Sequence, residues 1–235
     1  MAAELRRRQA WLAALVAVAA CVAVFQLPLL APLRWPLLWF ATVVHELGHG
    51  LAALALGGHL DRLSLHADGS GVAEYRGAFG DGQVALVAAA GLLAPPLCSM
   101  ALLLAGRGRR TGHAALAGLG LALLAAGLAW GGNVLTVSFC TVFGLLLIGV
   151  AMAGRAAWSQ VLCLFLALEL GLASLSRADY LFTAEAATAS GTMLSDVGQI
   201  AAAGGLPFWF WGALIALAGL TLLGVGLLRF MAALR

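Results

Sequence analysis

Residues 35–56, with the sequence WPLLWFATVVHELGHGLAALAL, decide how this chain is organised. The segment is almost entirely apolar apart from His45-Glu46-Leu47-Gly48-His49, and it predicts a membrane helix. On a helix, His45 and His49 lie one turn apart on the same face, where two imidazole nitrogens can bind one zinc ion. Glu46 projects from an adjoining direction, which suits a general base beside that metal.

Three ionisable side chains inside a membrane helix need a physical reason, because each costs ~2.5–3.5 kcal/mol to insert. Polar neighbours within a helix bundle would be one reason. A shared metal ion is the better explanation, because it accounts for both the residue types and their spacing.

The composition indicates an integral membrane protein. Hydrophobic residues make up 63% of the chain and charged residues 10%, far from the average of soluble proteins. A net charge of +3 without a basic stripe argues against a nucleic-acid partner. We expect one membrane domain over residues 1–235, placed in a lipid bilayer as a multi-pass protein of a bacterial plasma membrane.

The predicted fold class is an all-α polytopic membrane protein with six or seven transmembrane helices and a short β-hairpin after the metal-binding helix. Each predicted span is long enough, or nearly so, to cross ~30 Å of hydrocarbon. The predicted spans are about 10–31, 35–57, 85–106, 113–131, 134–153, 157–175 and 207–229, and the first break between them is predicted at residues 32–36.

The polar stretch 58–83 predicts the hairpin. Asp68-Gly69 is a turn signal between two runs of alternating apolar residues. An ordinary extramembrane hairpin is one interpretation, and an edge strand that accepts an extended peptide is the other. His59 and His66 lie in this stretch without helical spacing to the histidine pair, so neither is expected to bind the metal.

The second polar stretch, 176–206, contains Ser195 and Asp196, which predict a helix N-cap and its first residue. Gly204-Gly205 ends that short helix, and Pro207 opens the last span. Asn133, which follows a span, is interpreted as a helix-terminus residue, the alternative being a hydrogen-bond donor to substrate.

A catalytic zinc ion needs a third protein ligand, and the motif helix supplies only two. A carboxylate is the usual solution. The spacing alone leaves three candidates open, namely Asp196, Asp179 and Glu169.

The segment from His45 to Gly50, continuing through Ala52-Ala53 to Gly57-Gly58, resembles the site-2 protease superfamily of intramembrane zinc metalloproteases. More narrowly, it is similar to the compact bacterial branch without soluble domains. The resemblance also covers the hairpin and the Ser-Asp pair at 195–196. The chain lacks the N-P-D-G or L-D-G sequence that supplies the third ligand in better-studied members.

The resemblance implies a Zn²⁺ ion bound by His45 and His49, with Glu46 as general acid/base, and it favours Asp196 as the third ligand. It implies cleavage of peptide bonds in or near a transmembrane segment of a membrane-protein substrate. Three alternatives remain: a catalytically degenerate protein of the same fold that binds partners, a metal transporter, and a membrane zinc protease of another superfamily. The last would use Glu169 or Glu185 as its third ligand.

Overall fold

The computed structural model describes residues 12, 15–24, 27–154, 156–176, 181–188 and 191–233. It consists mainly of helices, with two short antiparallel hairpins between them. In chain order the helices are α1 (Leu15–Val24), α2 (Ala31–Ala55), α3 (Asp81–Ala105), α4 (Arg109–Trp130), α5 (Val134–Met152), α6 (Ala156–Ser176), α7 (Asp196–Gly204) and α8 (Phe208–Ala233). The strands are β1 (His59–Leu65), β2 (Gly71–Arg76), β3 (Glu185–Thr188) and β4 (Gly191–Leu194).

Five helices, α2, α3, α4, α5 and α8, are long and apolar enough to cross a membrane. Helices α1 and α6 add the shorter apolar stretches Leu15–Val24 and Trp158–Ala173. The predicted fold class is therefore confirmed, and the chain is a multi-pass membrane protein.

The predicted break at residues 32–36 is wrong, because Pro32 and Pro36 both lie inside α2. Pro32 is in the first turn, where its missing N–H would have no helical partner in any case. Pro36 removes only one hydrogen bond, close to the helix end. The break precedes Ala31 instead, at the 3-10 turn Pro28–Leu30.

The polar stretch predicted for 58–83 is also too long at its C-terminal end. Helix α3 begins at Asp81, four residues before the predicted start at 85. The side chain of Gln83 accepts a hydrogen bond from the backbone N–H of Gly80 at 3.0 Å, and Asp81 is favourably placed at a helix N-terminus. Polar residues therefore cap this span and do not precede it.

Helix α3 lies at the centre of the bundle and packs against α2, α6, α7 and α8. The largest core cluster contains fully buried side chains such as Phe40, Leu103 and Leu116. Helices α4 and α5 form a closely packed pair at two glycines. A Cβ added to Gly120 would lie 2.6 Å from the Gly144 carbonyl oxygen, as small residues allow in membrane helices.

The predicted hairpin is confirmed as β1 and β2. Its turn contains Asp68 and Gly69, and Gly69 has a φ of +84°, which a residue with a side chain rarely adopts. The hairpin lies along α2. The Gly69 carbonyl accepts a hydrogen bond from the Thr42 hydroxyl at 2.7 Å, and the His66 carbonyl accepts one from the Trp39 indole at 2.9 Å.

The other edge of β1 is held by the chain between α4 and α5. The backbone N–H of Gly132 donates to the Leu63 carbonyl, and the Asn133 amide donates to the Leu65 carbonyl, both at 2.8 Å. The Thr136 hydroxyl accepts from the Leu65 N–H at 2.8 Å. Asn133 is also the N-cap of α5, since its side chain accepts from the Thr136 N–H, so its interpretation as a helix-terminus residue is confirmed.

The second hairpin, formed by β3 and β4, was not predicted from the sequence, and it leads directly into α7. The predicted cap is confirmed. The Ser195 hydroxyl accepts from the Gly198 N–H at 3.1 Å and donates to the Thr183 carbonyl at 2.6 Å. Gly205 ends α7 with a φ of +68°.

We expect Thr136→Val to destabilise the protein by about 1–3 kcal/mol, because it leaves the buried Leu65 N–H without an acceptor. Hydrogen exchange at the Leu65 amide should accelerate. Thr221→Val is the control, since the Thr221 hydroxyl is exposed and bonds only within its own helix at Leu217. Equal exchange at Leu65 in both variants would contradict this account of the hairpin's attachment.

Candidate metal centre and active site

Helix α2 presents His45 and His49 to the same point, as the i, i+4 spacing requires. Their Nε2 atoms are 3.1 Å apart, and the rings meet edge to face. His49 is buried, whereas the His45 side chain keeps 18% of its surface exposed. The pair is therefore open on the His45 side.

Asp196, the first residue of α7, completes the cluster from another part of the chain. Its Oδ2 atom lies 3.2 Å from His45 Nε2 and 3.3 Å from His49 Nε2. No other group of at least three histidine, cysteine, aspartate or glutamate side chains in the described residues has its ligand atoms this close. The structure therefore brings together the two motif histidines and one of the three carboxylates that the sequence left open.

The spacing of these three atoms fits a tetrahedral metal site. Ligand atoms 2.0–2.1 Å from a zinc ion are separated by about 3.3–3.4 Å along each edge of the tetrahedron. Asp196 Oδ2 is buried and has no hydrogen-bond partner among the described residues, although buried polar atoms almost always have one. A cation bound between the three atoms would satisfy it, so His45, His49 and Asp196 could hold a metal ion.

Asp196 is fixed by the structure around it. Ser195 caps α7 and its backbone N–H donates to the Ala184 carbonyl at 3.0 Å, while α7 packs against α3. Burial disfavours the charged form of Asp196, but the two imidazoles outweigh burial and hold the pKa of this carboxyl below its ordinary value. The site thus contains an ionised carboxylate at neutral pH.

A second contact sets the tautomer of His49. Its Nδ1 atom is 2.9 Å from the Val87 carbonyl oxygen in α3. A carbonyl can only accept, so Nδ1 carries a proton, and when the ring is neutral its Nε2 presents a lone pair toward Asp196 and His45. This is the usual arrangement of a metal-binding histidine.

Glycines let α3 approach α2 closely enough for that contact. A Cβ at Gly91 would overlap the imidazole ring of His49, and one at Gly48 would lie 2.6 Å from the Ala90 carbonyl oxygen. Gly91 was not singled out in the sequence. Its only signal is a small residue in the middle of an apolar span, which is common in membrane helices.

Glu46 points to the hairpin and not into the cluster. Its Oε2 atom accepts a hydrogen bond from the Ala73 backbone N–H at 2.8 Å, and the residue is buried. A Cβ added to Gly71 would lie 3.1 Å from Glu46 Cγ, so a small residue is needed there as well. Strand β2 therefore lies directly beside the carboxylate.

Tyr75, also on β2, was overlooked in the sequence. Burial raises the pKa of its phenol, and the charges of Asp196 and Glu46 raise it further. Tyr75 is thus a neutral hydrogen-bond donor near both carboxylates. Its position two residues after Ala73 in an alternating strand was the only available signal.

The other candidates lie elsewhere. Glu169 is buried in α6 and is not part of the cluster, and Asp179 lies outside the described residues. Glu185 is exposed at the start of β3, and His59 and His66 are exposed on the first hairpin.

Comparison with known protein families matches residues 11–226 to the family described as Peptidase M50B-like. Comparisons with curated proteins and with solved structures give no match. The matched region includes the motif helix, the hairpin and Asp196, and covers most of the chain. The chain therefore belongs to the Peptidase M50B-like family, which is the site-2 protease family.

Proposed function

We propose that this protein is an intramembrane zinc metalloprotease of a bacterial plasma membrane, which hydrolyses peptide bonds in or near transmembrane segments of other membrane proteins. Membership of a membrane peptidase family supports the reaction type. The observation that carries the proposal is the triangle of His45, His49 and Asp196, in which a buried carboxylate oxygen has no hydrogen-bond partner in the part of the chain that the structure describes.

His45, His49 and Asp196 would hold the zinc ion, and three protein ligands leave the fourth position open, as in catalytic sites. When bound, zinc supplies Lewis-acid polarisation of a carbonyl and makes water a better nucleophile at neutral pH. The His49–Val87 hydrogen bond and the Ser195 cap orient two of these ligands before any metal binds.

Glu46 is the proposed general acid/base. Its carboxylate takes a proton from the attacking water as the water oxygen bonds to the peptide carbon, and returns it to the leaving nitrogen as the C–N bond breaks. The Ala73 N–H donates to Glu46 Oε2 and holds the carboxylate at the hairpin edge. Without that contact the side chain would be free to change rotamer.

The hairpin suggests how an extended substrate reaches the site. One edge of β1 pairs with β2 and the other is covered by Gly132, Asn133 and Thr136. The Ala73 N–H donates to Glu46 and not to β1, so it lies on the outer edge of β2. An unwound substrate segment that adds to this edge would pass directly beside Glu46.

A metal transporter is less well supported, because transport needs ionisable side chains along a path between helices. Outside α2, the described parts of α3 to α6 and α8 contain Glu169, His113 and terminal charges such as Asp81, Arg109 and Arg229. Glu169 and His113 are not members of the His45 cluster.

We expect wild-type protein to bind about one zinc ion per chain, because a catalytic site takes three protein ligands. Most of the bound zinc should be lost in each of three variants, His45→Ala, His49→Ala and Asp196→Ala. Metal content of purified, zinc-loaded protein measures this.

Glu169→Ala and Asp179→Ala are the controls for that measurement and should keep the metal, since they test the two rival carboxylates. Full zinc occupancy in Asp196→Ala would remove Asp196 as the third ligand. Loss of zinc in Glu169→Ala, with zinc kept in Asp196→Ala, would make Glu169 the third ligand instead.

Glu46→Gln should retain zinc but lose proteolysis by about 10²–10⁴-fold, because it removes the proton carrier and leaves the three ligands intact. Quantitative comparison of membrane proteins in cells with wild type or Glu46→Gln should reveal a substrate that accumulates uncut in the variant. Identical membrane proteomes, with zinc bound in both, would instead indicate a degenerate partner-binding protein.

Gly91→Ala should reduce zinc occupancy, because the added methyl group must displace the His49 ring. The control is Gly219→Ala, where an added Cβ would meet only Pro96 at 3.7 Å. Equal zinc contents and equal thermal stability for the two variants would contradict the inferred contact between Gly91 and His49.

A further inference from the structure

We infer that the protein binds one phospholipid with a net negative headgroup, its acyl chain in an apolar groove between α1, α2, α5 and α6 and its phosphate on Arg34. The inference is independent of the proposed protease activity. It rests on the apolar lining and length of the groove and on an arginine bonded to one of the lining residues.

The groove has a volume of about 610 Å³. Its longest wall is one face of α5, from Leu135 through Phe139 and Phe143 to Leu147. Ser138 is the only residue with a polar functional group on the α5 wall, and α6 contributes apolar side chains such as Phe165. The site therefore suits a hydrocarbon occupant.

The length of the groove suits an acyl chain. Leu147 is twelve positions after Leu135, so the α5 wall is about 18 Å long at 1.5 Å per residue.

Arg34 provides the charge at the groove. It lies in the first turn of α2, between the lining residues Leu33 and Pro36. Its Nε–H donates to the carbonyl of Val24, another lining residue, at 2.9 Å. Arg34 is not itself a lining residue, but this bond ties its guanidinium to one that is.

The two terminal nitrogens of Arg34 have no acceptor among the described residues, and the side chain is only half-buried. A guanidinium offers paired N–H groups that match phosphate oxygens. Trp39 lines the groove and Trp35 is exposed on the same helix, as tryptophans are where a span meets the headgroup region.

Selectivity should come from the headgroup. Any lipid tail is as apolar as the groove wall, so within a bilayer the acyl chain alone gives little preference for one lipid over another. Every phospholipid carries the phosphate, but in a zwitterionic headgroup an ammonium group offsets its charge, so an arginine at the headgroup gives the net-anionic lipid a preference of about fivefold.

The test is native mass spectrometry of the full chain released from mixed micelles with equal phosphatidylglycerol and phosphatidylethanolamine. Wild type should retain one phosphatidylglycerol with about fivefold preference. Arg34→Gln should lower that preference to near unity. Arg229→Gln, which removes an exposed arginine near the end of α8, should keep the wild-type preference.

A second variant tests the groove itself. Ser138→Phe keeps Arg34 but fills part of the cavity, and it should reduce lipid retention at unchanged thermal stability. Equal lipid preference in wild type and Arg34→Gln would overturn the inference. So would displacement of the lipid by millimolar inorganic phosphate, or a lipid-free dimer as the retained species.

Discussion

The structure depends on one close contact, in which the buried carboxylate oxygen of Asp196 lies 3.2 Å from Nε2 of His45 and 3.3 Å from Nε2 of His49. His49 Nδ1 donates to the Val87 carbonyl, so in the neutral imidazole Nε2 and Asp196 Oδ2 direct lone pairs at the same point. The two lone pairs repel unless a cation, either a proton on the imidazole or a metal ion, lies between them. The glycines of α2 and α3 and the cap of α7 hold the two groups together, which is the arrangement expected of a preorganised metal site.

The first hairpin couples this site to the rest of the bundle. Thr42 and Trp39 attach it to α2, Asn133 and Thr136 attach it to α5, and Ala73 binds Glu46. Each contact uses a backbone group of the hairpin, and the two made by the Thr42 and Thr136 hydroxyls are buried. The same bonds leave one outer strand beside Glu46, so the fold presents a strand edge and a carboxylate together.

Much of this was predictable from the sequence because membrane helices leave long apolar runs and the histidine spacing has a direct geometric meaning. The motif helix, the Asp68-Gly69 turn and the Ser195 cap are local features, and each was predicted from adjacent residues. The start of α2 was predicted wrongly because of Pro36. A proline near a helix start removes a single hydrogen bond and need not end the helix.

The remaining features depend on contacts between distant residues, which local patterns do not encode. Asp196 and Glu169 could not be ranked from spacing, since the approach of α7 to α2 depends on how both pack around α3. Gly91 and Tyr75 were not predicted for the same reason. One is an ordinary small residue and the other an ordinary strand residue until His49 and Glu46 lie beside them.

X-ray absorption at the zinc edge of the purified, zinc-loaded chain tests the central claim most directly. We predict one zinc ion per chain with nitrogen and oxygen ligands at about 2.0–2.1 Å and the outer-shell scattering of two imidazoles. Sulfur ligands at about 2.3 Å, or a zinc ion without imidazole scattering, would contradict the site described by His45, His49 and Asp196.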